Sequence, residues 1–178
     1  MTNGGKFKDL KIDYGGITSD NVQQLRMVNG ACFPVSYNDT FYKDIVKARN
    51  EDLSKFAYWN GFVVGTVCSR TEPIPEKPER NRLYIMTLGV LAAYRGRGIG
   101  SKLIQSVLDH VEQHKEGDEK GEHGPLSLVD EIVLHVQISN DDAIKFYTER
   151  FDFEQGPMVE NYYRRIDPPH CYILKKKL

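Results

Sequence analysis

A glycine-rich segment with two arginines, Arg95-Gly96-Arg97-Gly98-Ile99-Gly100, has the residue types and spacing of an anion site. It follows an apolar run that is typical of a strand and precedes an apolar pattern of helical period. Glycine lets the backbone turn sharply and come close to a ligand, and the start of a helix offers unpaired N–H groups at the positive end of its dipole. The segment therefore predicts a loop that binds an anionic ligand, most often a phosphate.

Two other well-known glycine loops do not fit this segment. A dinucleotide fingerprint needs glycine where the chain has Ser101, and a P-loop needs Gly-Lys-Ser/Thr where the chain has Gly100-Ser101-Lys102. The remaining alternative is an ordinary turn whose arginines face solvent, and the strand and helix that flank the segment disfavour it.

The strand, loop and helix around this segment occupy residues 82–110, and further elements must hold them in place. Asn60-Gly61 lies between two apolar runs and predicts a β-hairpin, because both turn positions favour positive φ. The proline-rich residues 70–81 predict an exposed loop, and the polar, glycine-bearing residues 113–130 predict a mobile insertion.

The last third of the chain predicts one more helix between strands. Residues 131–137 are expected to form a strand, after which Ser139 or Asn140 caps a helix. A closing pair of strands is expected over residues 159–166 and 171–174. Together these elements predict an α/β fold in which a mixed, mostly antiparallel, twisted sheet of about seven strands is flanked by about four helices. We expect a single domain over residues 1–178.

The composition disfavours several classes of function. Lys+Arg 24 against Asp+Glu 25 gives a formal net charge of -1, which offers no electrostatic case for binding nucleic acid or a membrane surface. Cys32, Cys68 and Cys171 are odd in number and far apart, which argues against a disulfide framework and a zinc site. We therefore expect no bound metal. No apolar run approaches membrane-spanning length, so we expect a soluble protein of the cytoplasm, with the nucleus as an alternative.

Five blocks of the sequence together resemble one family: FPVSYND, RLYIMTLGVLAAYRGRGIG, LHVQISN, AIKFY and NYYRRIDP. The glycine loop resembles the pyrophosphate loop of the GNAT acyltransferases, and the blocks as a set resemble the NatE-type (San) catalytic subunits of the N-terminal acetyltransferases. The resemblance implies a GNAT fold that takes acetyl-CoA as co-substrate. It also implies direct transfer of acetyl, in a ternary complex, to the α-amino group of a protein that begins with methionine and an apolar residue.

The same resemblance assigns Tyr84 and His135 as the catalytic residues, acting through water on the attacking amine. Histidine titrates near neutral pH and suits a general base, whereas a tyrosine with a pKa of about 10 needs a shifted pKa or a water relay. The alternative for His135 is a core histidine that donates to a carbonyl group.

The resemblance also assigns binding roles. Backbone N–H groups of Leu88 and Val90 would hold the cofactor, one of them polarising the thioester carbonyl, and Tyr147 would protonate the leaving thiolate. The residues expected to bind the cofactor are Leu88, Gly89, Val90, Arg95, Gly96, Arg97, Gly98, Ile99, Gly100, Ser101, Asn140 and Tyr147. The residues expected to bind the peptide are Phe33, Pro34, Val35, Tyr37, Met86, Tyr162, Tyr163 and Ile166.

Two other functions remain open at this point. An acetyltransferase for lysine or small amines would share the glycine loop but would leave FPVSY and NYYRRI unexplained. A non-catalytic subunit of a ribosome-associated acetyltransferase complex is disfavoured by the intact glycine loop. The resemblance implies two partners: the N-terminal peptide of nascent or mature proteins, and the large auxiliary subunit of a NatA-type complex.

Overall fold

The computed structural model describes residues 11–48, 50–116 and 126–178. Within them lies one seven-stranded sheet, with strand order β1-β2-β3-β4-β5-β7-β6, in which only β4 and β5 run parallel. The α/β class and the mostly antiparallel sheet with four helices are confirmed. The elements are β1 (Asp13–Gly16), α1 (Val22–Cys32), α2 (Asp39–Ala48), β2 (Lys55–Trp59), β3 (Phe62–Ile74), β4 (Lys77–Val90), a 3-10 turn (Ala92–Tyr94), α3 (Ile99–Glu116), β5 (Val129–Gln137), α4 (Asp141–Phe151), β6 (Glu154–Val159) and β7 (Cys171–Lys177).

The hairpin predicted at Asn60-Gly61 is confirmed. Asn60 and Gly61 have φ values of 49° and 81°, and they connect β2 to β3 with Trp59 paired to Phe62. The local preference of this dipeptide for positive φ is therefore enough to set the turn.

The expected exposed loop over residues 70–81 is wrong. These residues continue β3 and β4 as a long hairpin, in which Pro73 pairs with Asn81 and only residues 75 and 76 lie between the strands. β2 pairs with β3 only as far as Val67, so Pro73 has no neighbour on that side that would need its missing N–H. Most of these side chains are exposed, as expected, but the backbone is extended and paired.

The insertion expected over residues 113–130 is wrong at both ends. α3 continues to Glu116, and β5 begins at Val129. Leu126 is buried, and its carbonyl accepts a hydrogen bond from the Val129 N–H group at 3.1 Å. Residues 117–125 lie outside the described residues, so the expected mobility stays a prediction.

The closing pair of strands is only half confirmed. β7 is present, but the expected strand over residues 159–166 is wrong, because β6 ends at Val159 and residues 160–170 form a loop, here named the closing loop. Asn161 has a φ of 55°, which no strand accommodates, and the Tyr163 N–H group donates to the Pro169 carbonyl at 2.8 Å within the loop.

Two apolar clusters lie on the two faces of the sheet. α3 and α4 cover one face, where fully buried Leu83, Leu103 and Ile132 belong to the larger cluster. α1 and α2 cover the other face, where Leu25 and Phe56 belong to the smaller one. The helix that follows the glycine loop is therefore fixed to the sheet by its own apolar stripe.

A β-bulge changes the direction of the side chains in β4. Cys68 pairs with Thr87 and Ser69 pairs with Ile85, so Met86 is an extra residue in β4. Before the bulge, Ile85 points into the larger cluster; after it, Leu88 packs against that cluster instead. Gly89 then faces α1, where a Cβ atom would lie 3.2 Å from Cys32 and Phe33. Glycine at this position lets the end of α1 approach the strand.

β4 and β5 separate part-way along their length. Their parallel pairing runs from Asn81 and Val129 to Tyr84 and Val133 and then stops, although β4 continues to Val90 and β5 to Gln137. Among the described residues, the backbone of β4 beyond Tyr84 has a strand partner on the β3 side only. This divergence opens a gap in the middle of the sheet.

We expect Leu103→Ala in α3 to lower the free energy of unfolding by about 2–5 kcal/mol, because the side chain is fully buried against the sheet. Urea denaturation followed by circular dichroism measures the change. Lys102→Ala, at an exposed neighbouring position, is the matched control and should shift stability by less than about 0.5 kcal/mol. Equal stabilities for the two variants would contradict this packing of α3.

Candidate active site

A channel of about 180 Å³ occupies the gap between the diverging ends of β4 and β5. Its walls come from both strands, from the segment after α1, from the start of α4 and from the closing loop. The residues that line it are Phe33, Pro34, Val35, Tyr37, Ile85, Met86, Thr87, Leu88, Leu134, His135, Val136, Gln137, Asn140, Ala143, Tyr147, Tyr163 and Ile166. Seven of the eight residues expected to bind the peptide are among them, all except Tyr162.

The segment after α1 reaches the channel because the helix cannot continue. Phe33 precedes Pro34 and has extended dihedrals, φ -123° and ψ 141°. Tyr37 then stacks on Phe41 of α2 with ring centroids 4.5 Å apart, which holds the segment against the sheet. Burial raises the pKa of Tyr37 to about 12, so its hydroxyl keeps its proton and can donate a hydrogen bond.

Tyr84 and His135 meet at the edge of the channel. Tyr84 pairs with Val133, and His135 lies two residues further along β5, so both side chains are on one face of the sheet. The His135 Nδ1 atom lies 3.2 Å from the Tyr84 hydroxyl, and the two rings are edge to face. The two residues assigned to catalysis are therefore in hydrogen-bond contact.

The surroundings keep His135 neutral and Tyr84 protonated. Burial lowers the pKa of His135, and the nearby positive charge of Arg82 lowers it further, against a smaller opposite effect of Glu72. Burial also raises the pKa of Tyr84 well above its ordinary value. The imidazole therefore has a free nitrogen lone pair at neutral pH, whereas the phenol is a hydrogen-bond donor and relay rather than a base.

A cluster of three charged side chains lies next to Tyr84 on the same face. Glu72 accepts from Arg82 at 2.7 Å and from Arg70 at 3.0 Å, and the Arg70 guanidinium lies 5.5 Å from the centre of the Tyr84 ring. Within this network, Arg82 lowers the pKa of His135 more than Glu72 raises it.

A second, larger cavity of about 640 Å³ lies at the glycine loop. Gly96 and Gly98 have φ values of 73° and 77°, a left-handed conformation that favours glycine. The Arg95 Nε atom donates to the Val90 carbonyl at 2.9 Å and closes the loop against β4. The first hydrogen bond of α3 runs from the Lys102 N–H group to the Gly98 carbonyl at 2.9 Å, so the three preceding amides, of residues 99–101, have no acceptor within the helix.

Nine of the residues expected to bind the cofactor line this cavity, and three do not. Gly89 faces α1, and exposed Arg97 donates to the Ala93 carbonyl at 3.3 Å. Asn140 lines the smaller channel, and its side chain accepts from the Ala143 N–H group as the cap of α4, which confirms the expected cap. The nine are Leu88, Val90, Arg95, Gly96, Gly98, Ile99, Gly100, Ser101 and Tyr147.

One whole wall of the larger cavity was missed in the sequence. It is the face of α4 that looks toward the glycine loop, where Arg150 donates to the Ser101 hydroxyl at 3.4 Å. The only available signal was the spacing of three and four residues along the helix, which is shared by any amphipathic helix. The missed residues are Tyr94 beside the loop and Asp142, Ala143, Lys145, Phe146, Glu149 and Arg150 on α4.

The two cavities meet at Leu88, Ala143 and Tyr147, which line both. Tyr147 is only 6% exposed, and burial raises its pKa well above the ordinary value, so the phenol holds a proton at the junction. An anionic ligand at the start of α3 could thus extend a reactive group toward the channel that ends at Tyr84 and His135. The arrangement suits group transfer to an acceptor that loses a proton.

Within residues 11–48, 50–116 and 126–178, no group of three or more His, Cys, Asp or Glu side chains is arranged to hold a metal ion. Among the helices of the same residues, none is long and apolar enough to cross a membrane.

Comparison with known proteins decides the family. The family described as Acetyltransferase (GNAT) matches residues 22–120. N-alpha-acetyltransferase 50 of Danio rerio is 44% identical over 168 residues, which are 94% of this chain and 89% of that protein. The chain belongs to the GNAT acetyltransferase family.

Two further relatives place this GNAT chain within the family. The probable N-acetyltransferase san of Drosophila melanogaster is 42% identical over 94% of the chain and 81% of that protein. The solved structure of Arabidopsis thaliana Naa50 in complex with the bisubstrate analogue CoA-Ac-MVNAL superimposes with a TM-score of 0.77 at 40% identity, covering 94% of this chain and 99% of that one. The expected resemblance to NatE-type (San) subunits is confirmed.

We expect the imidazole of His135 to titrate below 6.5, because burial and Arg82 both disfavour its charged form. Arg82→Gln should raise that pKa, since it removes a nearby positive charge and leaves the Glu72 carboxylate paired with Arg70 alone. An NMR titration of the histidine Cε1–H signals measures both values, with His135→Gln used to assign the resonance. A pKa that stays the same in Arg82→Gln would contradict this account.

Proposed function

We propose that this chain is an N-terminal protein acetyltransferase that moves acetyl from acetyl-CoA to the α-amino group of proteins beginning with methionine and an apolar residue. The observation that carries the proposal is the junction of the two cavities at Leu88, Ala143 and Tyr147. It connects an anion site at a helix start to a channel with a neutral histidine. The relatives named above support the choice of substrates, since one is an N-alpha-acetyltransferase and another was solved with a CoA-Ac-MVNAL analogue.

The glycine loop fits the diphosphate of acetyl-CoA. Its left-handed glycines leave the loop without side chains at Gly96 and Gly98, and the free amides at the start of α3 supply N–H donors at the positive end of the helix dipole. Beyond Tyr84, the side of β4 that turns away from β3 has no strand partner in the part of the chain that the structure describes. Its backbone groups near Leu88 and Val90 can therefore bond the pantetheine chain and the thioester carbonyl.

The channel fits the first residue of a peptide. Phe33, Pro34, Val35 and Ile166 offer an apolar wall for a methionine side chain, and hydroxyls of Tyr37 and Tyr163 can bond the peptide backbone. The volume of about 180 Å³ suits one side chain and a chain end. A lysine inside a protein would have to bring in its main chain on both sides of its side chain. The segment after α1 and the closing loop leave little room for this in the channel.

The reaction forms a C–N bond and breaks the C–S bond of the thioester. An α-amino group has a pKa of about 7.7–8.0, so a large fraction carries a proton at neutral pH and must lose it before attack. Through water, the Tyr84 hydroxyl accepts that proton and passes its own to His135 Nδ1, 3.2 Å away. As the amide forms, the second amine proton passes to water. Tyr147 gives its proton to the CoA thiolate at the junction of the cavities and takes one back from water.

We infer two further properties from the similarity to NatE-type subunits. The first is a partner, the large auxiliary subunit of a ribosome-associated NatA-type complex, which would present nascent chains. The second is a cytoplasmic location, because nascent chains emerge there. Co-purification of the full chain with such a subunit would support the first, and imaging of the tagged chain would test the second.

The function is tested by acetylation of two synthetic peptides that differ in the available amine. We expect the full chain to release CoA from acetyl-CoA with a peptide that begins Met-Leu, and far more slowly with an Nα-acetylated peptide that contains lysine. Preference for the blocked peptide would support a lysine acetyltransferase instead. Failure to bind acetyl-CoA in a calorimeter would support a non-catalytic subunit.

We expect His135→Ala to lower kcat by roughly 10²–10⁴, the usual contribution of a general base, while the affinity for acetyl-CoA stays unchanged. Tyr84→Phe should also lower kcat, since the relay between the amine and His135 is lost. His114→Ala is the matched control, because this exposed histidine lies in the last turns of α3, away from the cavities. Normal turnover in both site variants would show that the base has been assigned wrongly.

A further inference from the structure

Tyr162, expected to be a wall of the peptide pocket, lies instead on the catalytic residues. Its ring stacks on the His135 imidazole with centroids 4.5 Å apart and planes 10° from parallel. Its hydroxyl lies 3.2 Å from the Tyr84 hydroxyl. It does not line the channel, and 40% of its surface is exposed. Tyr162 thus contacts both members of the catalytic pair from the solvent side.

The hydrogen bonds of this group fix the direction of donation. The Tyr84 hydroxyl has one proton and two neighbours, His135 Nδ1 and the Tyr162 hydroxyl, each at 3.2 Å. With the imidazole proton on Nε2, the tautomer that lets Nδ1 receive a proton, Nδ1 is a better acceptor than a phenol oxygen, so Tyr84 donates to His135. Tyr162 is then the donor to Tyr84, and the chain of donation runs from Tyr162 through Tyr84 to His135.

The closing loop holds Tyr162 through both of its neighbours. The Asn161 N–H group donates to His170 Nδ1 at 3.1 Å, and the Tyr163 N–H group donates to the Pro169 carbonyl at 2.8 Å. The His170 carbonyl in turn accepts from the N–H group of Ile138, just beyond the end of β5, at 3.1 Å. The loop that carries Tyr162 is therefore attached to the strand that carries His135.

We propose that Tyr162 is a positioning residue for acetyl transfer, which aligns the Tyr84 hydroxyl on His135 and covers the face of the imidazole. This inference rests on the proposed function and adds a third member to its proton path. Tyr162 keeps its own proton throughout. While Tyr84 exchanges one proton for another, the Tyr162 O–H group stabilises negative charge on the Tyr84 oxygen, and the Tyr162 ring faces the imidazolium that forms.

Tyr162→Phe separates positioning from peptide binding, because it removes the hydroxyl and keeps the ring. We expect kcat with a Met-Leu peptide to fall roughly three- to tenfold, as for the loss of one hydrogen bond, with KM for the peptide and for acetyl-CoA unchanged. Tyr162→Leu, which also removes the ring, should lower kcat further. Tyr14→Phe is the matched control, since this exposed tyrosine lies on β1, and it should leave kcat unchanged.

A raised peptide KM with normal kcat in Tyr162→Phe would overturn the inference and return Tyr162 to the peptide pocket. Wild-type turnover in the same assay tests the proposed function separately. A second measurement does not depend on turnover: Tyr162→Leu uncovers the imidazole, so the NMR-measured pKa of His135 should rise toward 6.5. An unchanged pKa in that variant would overturn the contact between Tyr162 and His135, and thermal unfolding of each variant verifies that it is folded.

Discussion

The parting of β4 from β5 is the constraint on which the rest of the molecule depends. Paired strands leave no space between them, so the interior of a sheet is normally closed to ligands. Here pairing stops after Tyr84 and Val133, and the two strands continue separately for several residues. Backbone groups that would have bonded each other are left available. α3 and α4 cover one side of the opening, and the segment after α1 and the closing loop cover the other. Both cavities exist because of this opening.

The bulge at Met86 and the lack of a side chain at Gly89 let β4 contact the larger cavity on one face and the end of α1 on the other. The extra residue turns Leu88 and Val90 toward the larger cavity, whereas Ile85, before the bulge, packs in the larger apolar cluster. Gly89, on the reverse side, allows Cys32 and Phe33 to approach within contact distance. A single strand therefore borders the larger cavity on one side and positions the wall of the channel on the other, which keeps the two cavities a few residues apart.

The sequence predicts those parts of the fold and site whose signals are local. The glycines of the loop, the apolar stripe of α3 and Asn60-Gly61 each determine their own structure, and the blocks shared with a known family place Tyr84, His135 and most of the channel. Features that depend on distant partners were not predictable in this way. Residues 70–81 form strands because the end of β3 pairs with the start of β4. Their prolines are typical of loops and gave no indication of this pairing. The contact of Tyr162 with His135 joins residues brought together by the closing loop, and the wall from α4 depends on how that helix is oriented against α3.

The long hairpin of β3 and β4 also bears on the solubility of the protein. Past Val67, no strand of residues 11–48, 50–116 or 126–178 lies beside the outer side of β3. An unpaired strand can recruit the strands of neighbouring molecules. Ser54 occupies part of this side by accepting from the Ser69 N–H group at 3.0 Å. Further along, Pro73 has no N–H group to offer, and Arg70 and Glu72 carry charges that an added strand would have to desolvate. Pro73, one of the prolines that suggested a loop, thus disfavours aggregation through this strand.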